Sequence, residues 1–317
     1  MTVVPVSLDA LFRTHERMLW GLCYRLTGCA ADADDIVQET FVRALERGRG
    51  PDDPTWRAWL VRVAANRGLD LLRHRRRRGY LGPWLPSPIE TDLEEWAASE
   101  PRDAPEARYE RLESVTFAFL LALDALTPKP RAVLLLRDVF DYSAAETGSV
   151  LDMSPENVRI THHRARRAMQ AYDRDRCRPT AARREQTQQA LETLLRCLLN
   201  QDAPALEALL ADSVRTTIDG GGEYTALADV LVGRAKVALL HLRVARRRSG
   251  GARIALRLVN GMPAAIIEYA SAVRRQAPRA VLRCEVGADG RITALHSVLA
   301  ARKLTAVRFA DAPAPGL

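Results

Sequence analysis

The sequence predicts a multidomain protein: two all-α segments, then an α+β module on a curved antiparallel sheet. Three observations carry this. Apolar residues recur at helical spacing through 8–78 and again through 113–172. From about 181 the grammar changes to two helices followed by short strand-like runs, two of them joined by Asn260-Gly261, a strong hairpin signal. Between the helical segments, 79–112 is rich first in proline and then in acid. The expected boundaries are 8–78, a linker at 79–112, 113–175, 181–305 and a tail at 306–317. No internal repeat is visible.

Each element has its own reason. Leu8, Leu11, Phe12, His15, Leu19, Leu22 and Leu26 mark a first helix that Gly28 ends. Ile36, Val37, Phe41, Ala44 and Leu45 mark one side of a second, over 33–46. "RGRGPDDP" (47–54) reads as a loop by its Gly and Pro content. A third helix starts near Thr55, carries Trp56, Trp59, Leu60, Val63, Ala64, Leu69 and Leu72, and runs into "RHRRRR" (73–78). In the last module, helices are expected at 181–199 and 204–211, with another inserted at 226–245. Strands are expected at "SVRTTI", "ARIALRLV", "AAIIEYA", "AVLRCEV" and "RITALHSVL", and the end "ADAPAPGL" reads as unstructured.

The totals narrow the function. The 317 residues carry a formal charge of +8, which suits an anionic partner such as nucleic acid. The five cysteines, Cys23, Cys29, Cys177, Cys197 and Cys284, form no CxxC and no zinc spacing, and read as reduced thiols. Neither a secretory signal nor a membrane span is legible, so the chain is expected in the cytoplasm. No metal or cofactor is called for.

"YSAAETGSVLDMSPENVRITHHRARRAM" (142–169) has the parts of a helix-turn-helix. Ser143 and Glu146 form a capping box for a short helix. Asp152-Met153 is the turn. Ser154 caps a second helix with Pro155 at its first position and Glu156 near its positive end. That helix carries Asn157, Arg159, His162, His163, Arg164, Arg166 and Arg167, with no acid after Glu156. Base-reading groups at the front and arginines behind suit a recognition helix. An apolar stripe is expected from Ile160, Met169 and Ala165 or Ala168. The competing reading is an ordinary basic surface helix.

Two further stretches stand out. "DADDIVQETFVRAL" (32–45) turns Asp34, Asp35, Gln38, Glu39 and Arg43 largely away from the apolar set, which by composition alone is a solvated face. "PTWRAWLVRVAANRGLDLLRHRRRR" (54–78) mixes tryptophan, asparagine and arginine, a combination that suits melted DNA because every base offers a stackable face. The alternative is that Trp56 and Trp59 belong to the core.

In this order these blocks resemble a bacterial sigma factor of the extracytoplasmic-function type. "ADADDIVQETFVRAL" is similar to the polymerase-binding helix of region two. "TWRAWLVRVAANRGLDLLRHRRR" is similar to its promoter-melting segment, and 126–169 to region four, which reads the −35 element. "GYLGPWLPSPIE", "IDGGGEYTAL" and "VNGMPAAII" resemble motifs of a subgroup whose members carry a SnoaL-like C-terminal domain, a cone-shaped α+β fold. The chain departs from that pattern in places. Glu223 stands where the Asp-Gly-Gly-Gly motif usually ends in lysine, and the closing Asn-Pro-Asp-Lys-Leu motif falls on "AARKL", keeping Lys303 and Leu304. Gly148 and Asp152 stand where region four usually has Ala and Gly.

The resemblance implies a mechanism. Asp34, Asp35, Gln38, Glu39 and Arg43 would dock on the beta-prime coiled coil of core RNA polymerase. Loop 48–55 would take a flipped −10 base. Trp56, Asn66, Arg67, Asp70, Arg73, Arg75 and Arg76 would serve the −10 element. Ser154, Glu156, Asn157 and the basic residues of the second helix, Arg159, His162, His163, Arg164, Arg166 and Arg167, would serve the −35 element. The partners are core polymerase and promoter DNA, with no membrane and no separate anti-sigma factor required; no catalysis is asked of the chain. Tyr80, Leu81, Trp84 and Leu85 of the linker, with Asp219, Gly220, Gly221, Gly222 and Glu223, would form a regulatory interface. The C-terminal domain could instead hold a small ligand or run acid–base chemistry through Asp219, Glu268 and His296. A ligand-responsive helix-turn-helix regulator is the alternative for the whole chain. "DGGG" itself does not read as a phosphate loop, and its glycines permit either a flexible hairpin or close approach by another backbone.

Overall fold

The computed structural model describes residues 8–46, 55–92, 110–248, 251–270 and 274–309. It separates into two compact units: residues 1–79 with 99–177, and 80–98 with 178–317. The described residues 80–92 therefore belong to the unit of the C-terminal module.

In the first unit, α1 (Leu8–Thr27), α2 (Ala30–Glu46) and α3 (Trp56–Arg78) pack around Leu19, Leu22, Leu26, Ile36, Leu60 and Leu69. A 3-10 turn (Glu113–Val115) leads into α4 (Phe117–Asp124), α5 (Pro128–Asp138), α6 (Ala144–Leu151), α7 (Pro155–Ala168) and the short α8 (Gln170–Arg174). The two helical segments are also joined by buried guanidiniums. Arg25 is 3% exposed and donates to Ser114 Oγ at 2.7 Å and to the Arg111 carbonyl at 2.9 Å. Arg131 donates to the Leu26 carbonyl and to Asp124 Oδ1. Buried polar groups need such partners, and burial lowers the pKa of both arginines.

In the second unit, α9 (Ala181–Asn200) and α10 (Ala203–Leu209) precede β1 (Leu210–Asp219) and β2 (Leu231–Val232); α11 (Arg234–Arg248) precedes β3 (Ala252–Val259), β4 (Met262–Tyr269), β5 (Arg279–Val286) and β6 (Ile292–Val298). The sheet order is β2-β1-β6-β5-β4-β3. Leu191, Leu194, Leu206, Val237, Leu282 and Leu295 are among the core residues where helices meet sheet. Asn260 (φ +53) and Gly261 (φ +74) both take positive φ, as a type I′ hairpin needs.

Four expectations are corrected. The sheet is not wholly antiparallel, because β1 runs parallel to β6, Thr216 facing Leu295 and Asp219 facing Val298. The β3–β6 meander thus places its last strand alongside β1, running in the same direction. The helix expected at 226–245 occupies 234–248, since Leu231–Val232 pair with β1 and Gly233 at φ +107 blocks a helical start before it. The helix expected at 204–211 stops at Leu209, where Leu210 enters β1 as a fully buried residue. The first residues of the tail expected from 306 are packed: Val307 is buried and the Arg308 backbone N–H donates to Glu90 at 2.7 Å. Residues 310–317 lie outside the described residues.

Candidate functional site

Three surfaces carry the candidate residues. On α2, Asp34, Asp35, Gln38 and Arg43 are exposed. Glu39 is half-buried and held between two arginines, Arg43 at 2.9 Å and Arg67 at 2.6 and 2.8 Å. Asp34 accepts from the Trp20 indole at 2.6 Å. Beside this acidic row lies a groove bordered by Trp20, Gln38, Val42 and Leu45. Leu45, expected on the buried side, is 59% exposed, and Val42 is 49% exposed. The sequence reading missed this apolar strip. Its signal was present, as two aliphatics on the same helix as the acids.

On α3, Asn66, Asp70, Arg73 and Arg76 are exposed, and Arg73 pairs with Asp70 at 2.7 Å. Three neighbours are engaged within the unit. Trp56 is 4% exposed and meets Trp59 edge-on, so it is a core residue and not a stacking surface. Arg75 turns inward to Asp32 at 2.5 Å and to the Thr27 carbonyl. Arg67 is held by Glu39. Arg76 also donates to the Leu126 carbonyl at 2.9 Å. Loop 48–54 lies outside the described residues, as does the side chain of Arg78.

The helix-turn-helix is built as its caps dictate. Ser143 accepts from the Glu146 N–H and Glu146 reaches back to Ser143, completing the capping box. Ser154 accepts from the Asn157 N–H at 3.2 Å, with Pro155 next in the chain. Asp152 sits in the turn at φ +55, a left-handed position that aspartate tolerates. A Cβ on Gly148 would lie 2.4 Å from the Met153 carbonyl oxygen, so the turn closes on the space that Gly148 leaves. The other departure from the region-four pattern, Asp152, directly precedes Met153, and its backbone N–H donates to the Gly148 carbonyl.

Along α7, Glu156, Asn157, Arg159, His163, Arg164 and Arg167 are exposed. His162 and Arg166 are engaged within the unit. They turn toward the buried Asp138, with His162 Nε2 2.8 Å from Oδ1 and Arg166 donating to both carboxylate oxygens. Burial works to raise the Asp138 carboxyl, but the hydrogen bonds from His162 and Arg166 and the Arg166 charge outweigh it and hold the group below the ordinary carboxylate range. The packing stripe is Val158, Ala165 and Met169; Ile160 is 44% exposed and lies on the outer side with the readers.

In the second unit the linker is fastened at Asp219, which is fully buried. Its carboxylate accepts from the Tyr80 hydroxyl at 2.7 Å, the Leu85 N–H at 2.8 Å, the Gly221 N–H at 3.0 Å and Lys303 Nζ at 2.5 Å. Lys303 is 4% exposed and lies 4.5 and 4.6 Å from the Tyr80 and Trp84 ring centroids, a desolvated cation–π arrangement. The three glycines permit this crowding. Cβ atoms at Gly220, Gly221 and Gly222 would meet Tyr224 O at 2.6 Å, Ala300 Cβ at 2.7 Å and Leu81 Cδ2 at 3.2 Å. Leu81 itself is 75% exposed, and Glu223 is exposed. Farther on, Ile89 and Asn260 exchange hydrogen bonds, Thr91 N–H donates to Leu258 O, and Glu90 binds Arg257 and Arg308. Lys303 was noted in the sequence only as a retained motif residue; its ion pair joins positions 84 apart and left no local signal.

The acid–base candidates are corrected too. A cavity of about 280 Å³ lies in this unit, and Asp219, Glu268 and His296 do not line it. His296 bonds Glu285 at 3.3 Å. The histidine that does line the cavity is His241, buried against Thr216 Oγ1 at 3.0 Å, and burial lowers its pKa to about 4. Among the described residues, no helix is long and apolar enough to cross a membrane.

Comparison with known proteins agrees with this layout. The Sigma-70 region 2 family model matches 11–78, and the Sigma-70, region 4 model matches 116–169. The ECF RNA polymerase sigma factor SigJ of Mycobacterium tuberculosis H37Rv is 32% identical over 305 residues, covering 93% of this chain and 92% of that protein. The ECF sigma factor SigG of the same strain is 32% identical over 268 residues, covering 79% and 70%. The crystal structure of Mycobacterium tuberculosis SigJ superposes with a TM-score of 0.67 at 29% identity, over 94% of this chain and 98% of that one.

Proposed function

The chain belongs to the extracytoplasmic-function (ECF) RNA polymerase sigma factors, and from that premise we propose how its parts divide the work. A sigma factor directs core RNA polymerase to promoter DNA, so polymerase and promoter are its partners. In this reading α2 docks on a basic coiled coil of the core through Asp34, Asp35, Gln38, Glu39 and Arg43, with Val42 and Leu45 supplying apolar contact. Carboxylates suit a basic partner and speed encounter. The exposed Asn66, Asp70, Arg73 and Arg76 of α3 flank the melted −10 segment. The helix α7 enters the −35 major groove, where arginine can read guanine and asparagine adenine. Ile160, on the same face, suits a thymine methyl.

The second unit is read as a regulator, a fused substitute for a separate anti-sigma factor. One observation carries this. The segment joining the two DNA-reading parts of the chain is held inside the second unit by Asp219 and Lys303. Whatever loosens that hold changes the tether between the two readers. Truncation after Arg178 and the single change Lys303→Met are both expected to alter run-off transcription by reconstituted holoenzyme. Identical output from wild type and both variants would contradict the regulatory reading.

A further inference from the structure

The cavity near His241 plays no part in the sigma mechanism, and its lining has an unusual composition. Its walls are apolar, with Leu195, Leu198, Ile267 and Leu282 among them. Three lining residues are arginines, Arg247, Arg248 and Arg275, and none is an acid. Its border carries aliphatics that water should not keep: Leu199 is 64% exposed, Val244 38% and Ile254 37%. Arg248 is fixed, with its guanidinium 3.5 Å from the Tyr269 ring centroid and donating to the Ala277 carbonyl at 2.6 Å. Inside, His241 uses Nε2 on Thr216, and its other ring nitrogen has no partner among the described residues.

We infer that the second unit binds an amphipathic monocarboxylate, an alkyl or aryl acid whose apolar body fills this cavity and whose carboxylate meets the arginines. The size suits a small ligand body, and apolar walls with a few convergent polar groups are how such sites are built. Apolar surface on the rim favours covering it. A carboxylate fits a planar guanidinium better than any cationic or neutral head would. Burial already disfavours the charged form of Arg248, and an anion beside it reverses that. The ligand's position has a structural consequence. Ile218, Thr225 and Arg275 line both this cavity and the hollow bordered by Leu81 and Gly82 of the linker.

The test uses the full chain and the fluorescence of dansyl-labelled undecanoic acid, displaced in turn by decanoate, decanol and decyltrimethylammonium. Decanoate should displace it, with decanol at least about tenfold weaker for want of the charge-assisted contact. Val244→Glu, a change at the cavity rim, should weaken decanoate at least about tenfold through like-charge repulsion, and decanol by clearly less, since decanol loses only the apolar contact of one side chain. Equal displacement by decanoate and decanol, best displacement by the cation, or no binding by a folded wild-type chain would each overturn the inference. Because the readout is binding and not transcription, its failure is distinct from failure of the regulatory reading.

Discussion

Asp219 and Lys303 face each other at 2.5 Å with almost no access to solvent. Two charges so placed are costly to desolvate, and they persist because every neighbouring group answers them: Tyr80, the Leu85 and Gly221 amides, and two aromatic rings. Lys303→Met removes one charge and strands the other. The expected loss is about 3–5 kcal/mol of stability in the second unit, read as a lower denaturant midpoint; an unchanged midpoint would refute the pair's role. On α7, Arg159→Ala or Arg164→Ala is expected to cost about 1–3 kcal/mol at a matched −35 element in holoenzyme binding. Arg166→Ala should act partly through Asp138 and so also lower stability, an effect the first two should not show. Equal promoter binding by wild type and the Arg159 and Arg164 variants would contradict this assignment. The sequence identified the charged residues on these faces, but not which of them are committed internally. Glu39 with Arg67, Asp32 with Arg75 and Asp138 with Arg166 are 28 or more positions apart, so no local pattern marks them.

At the level of elements, caps and turn chemistry were legible because they act within a few residues. Ser143 with Glu146, Ser154 with Pro155, and Asn260-Gly261 each fix a boundary from their own side chains or backbone freedom. The parallel β1–β6 pairing was not legible, because its partners lie some 80 residues apart and strand composition is silent on direction. Gly148 separates local preference from tertiary fit. Helix propensity alone says that Gly148→Ala gains about 1 kcal/mol. The Met153 carbonyl, 2.4 Å from where the new Cβ would sit, says the opposite. Gly148→Ala is therefore expected to lower the melting temperature and weaken −35 binding. A stabilised variant with full binding would show that the turn relaxes freely.

For the molecule as a whole, the chain passes from the first unit into the second at 79/80, returns, and leaves again at 177/178. Proline and aromatic content mark 79–92 as unusual, but no local pattern measures how closely that segment is bound into the C-terminal module. The reason is physical: its anchors, Asp219, Asn260 and Lys303, are distant in the chain and polar. The central claim is that these parts serve a polymerase subunit, with α2 facing core and α7 facing DNA. It is tested most directly by transcription from promoter fragments selected from a randomised library, with and without purified core RNA polymerase. Specific promoter opening is expected only with core present, and Asp35→Ala combined with Glu39→Ala should reduce it by weakening core binding. Specific, high-affinity promoter recognition by the chain alone, unaffected by core or by those two substitutions, would contradict the account.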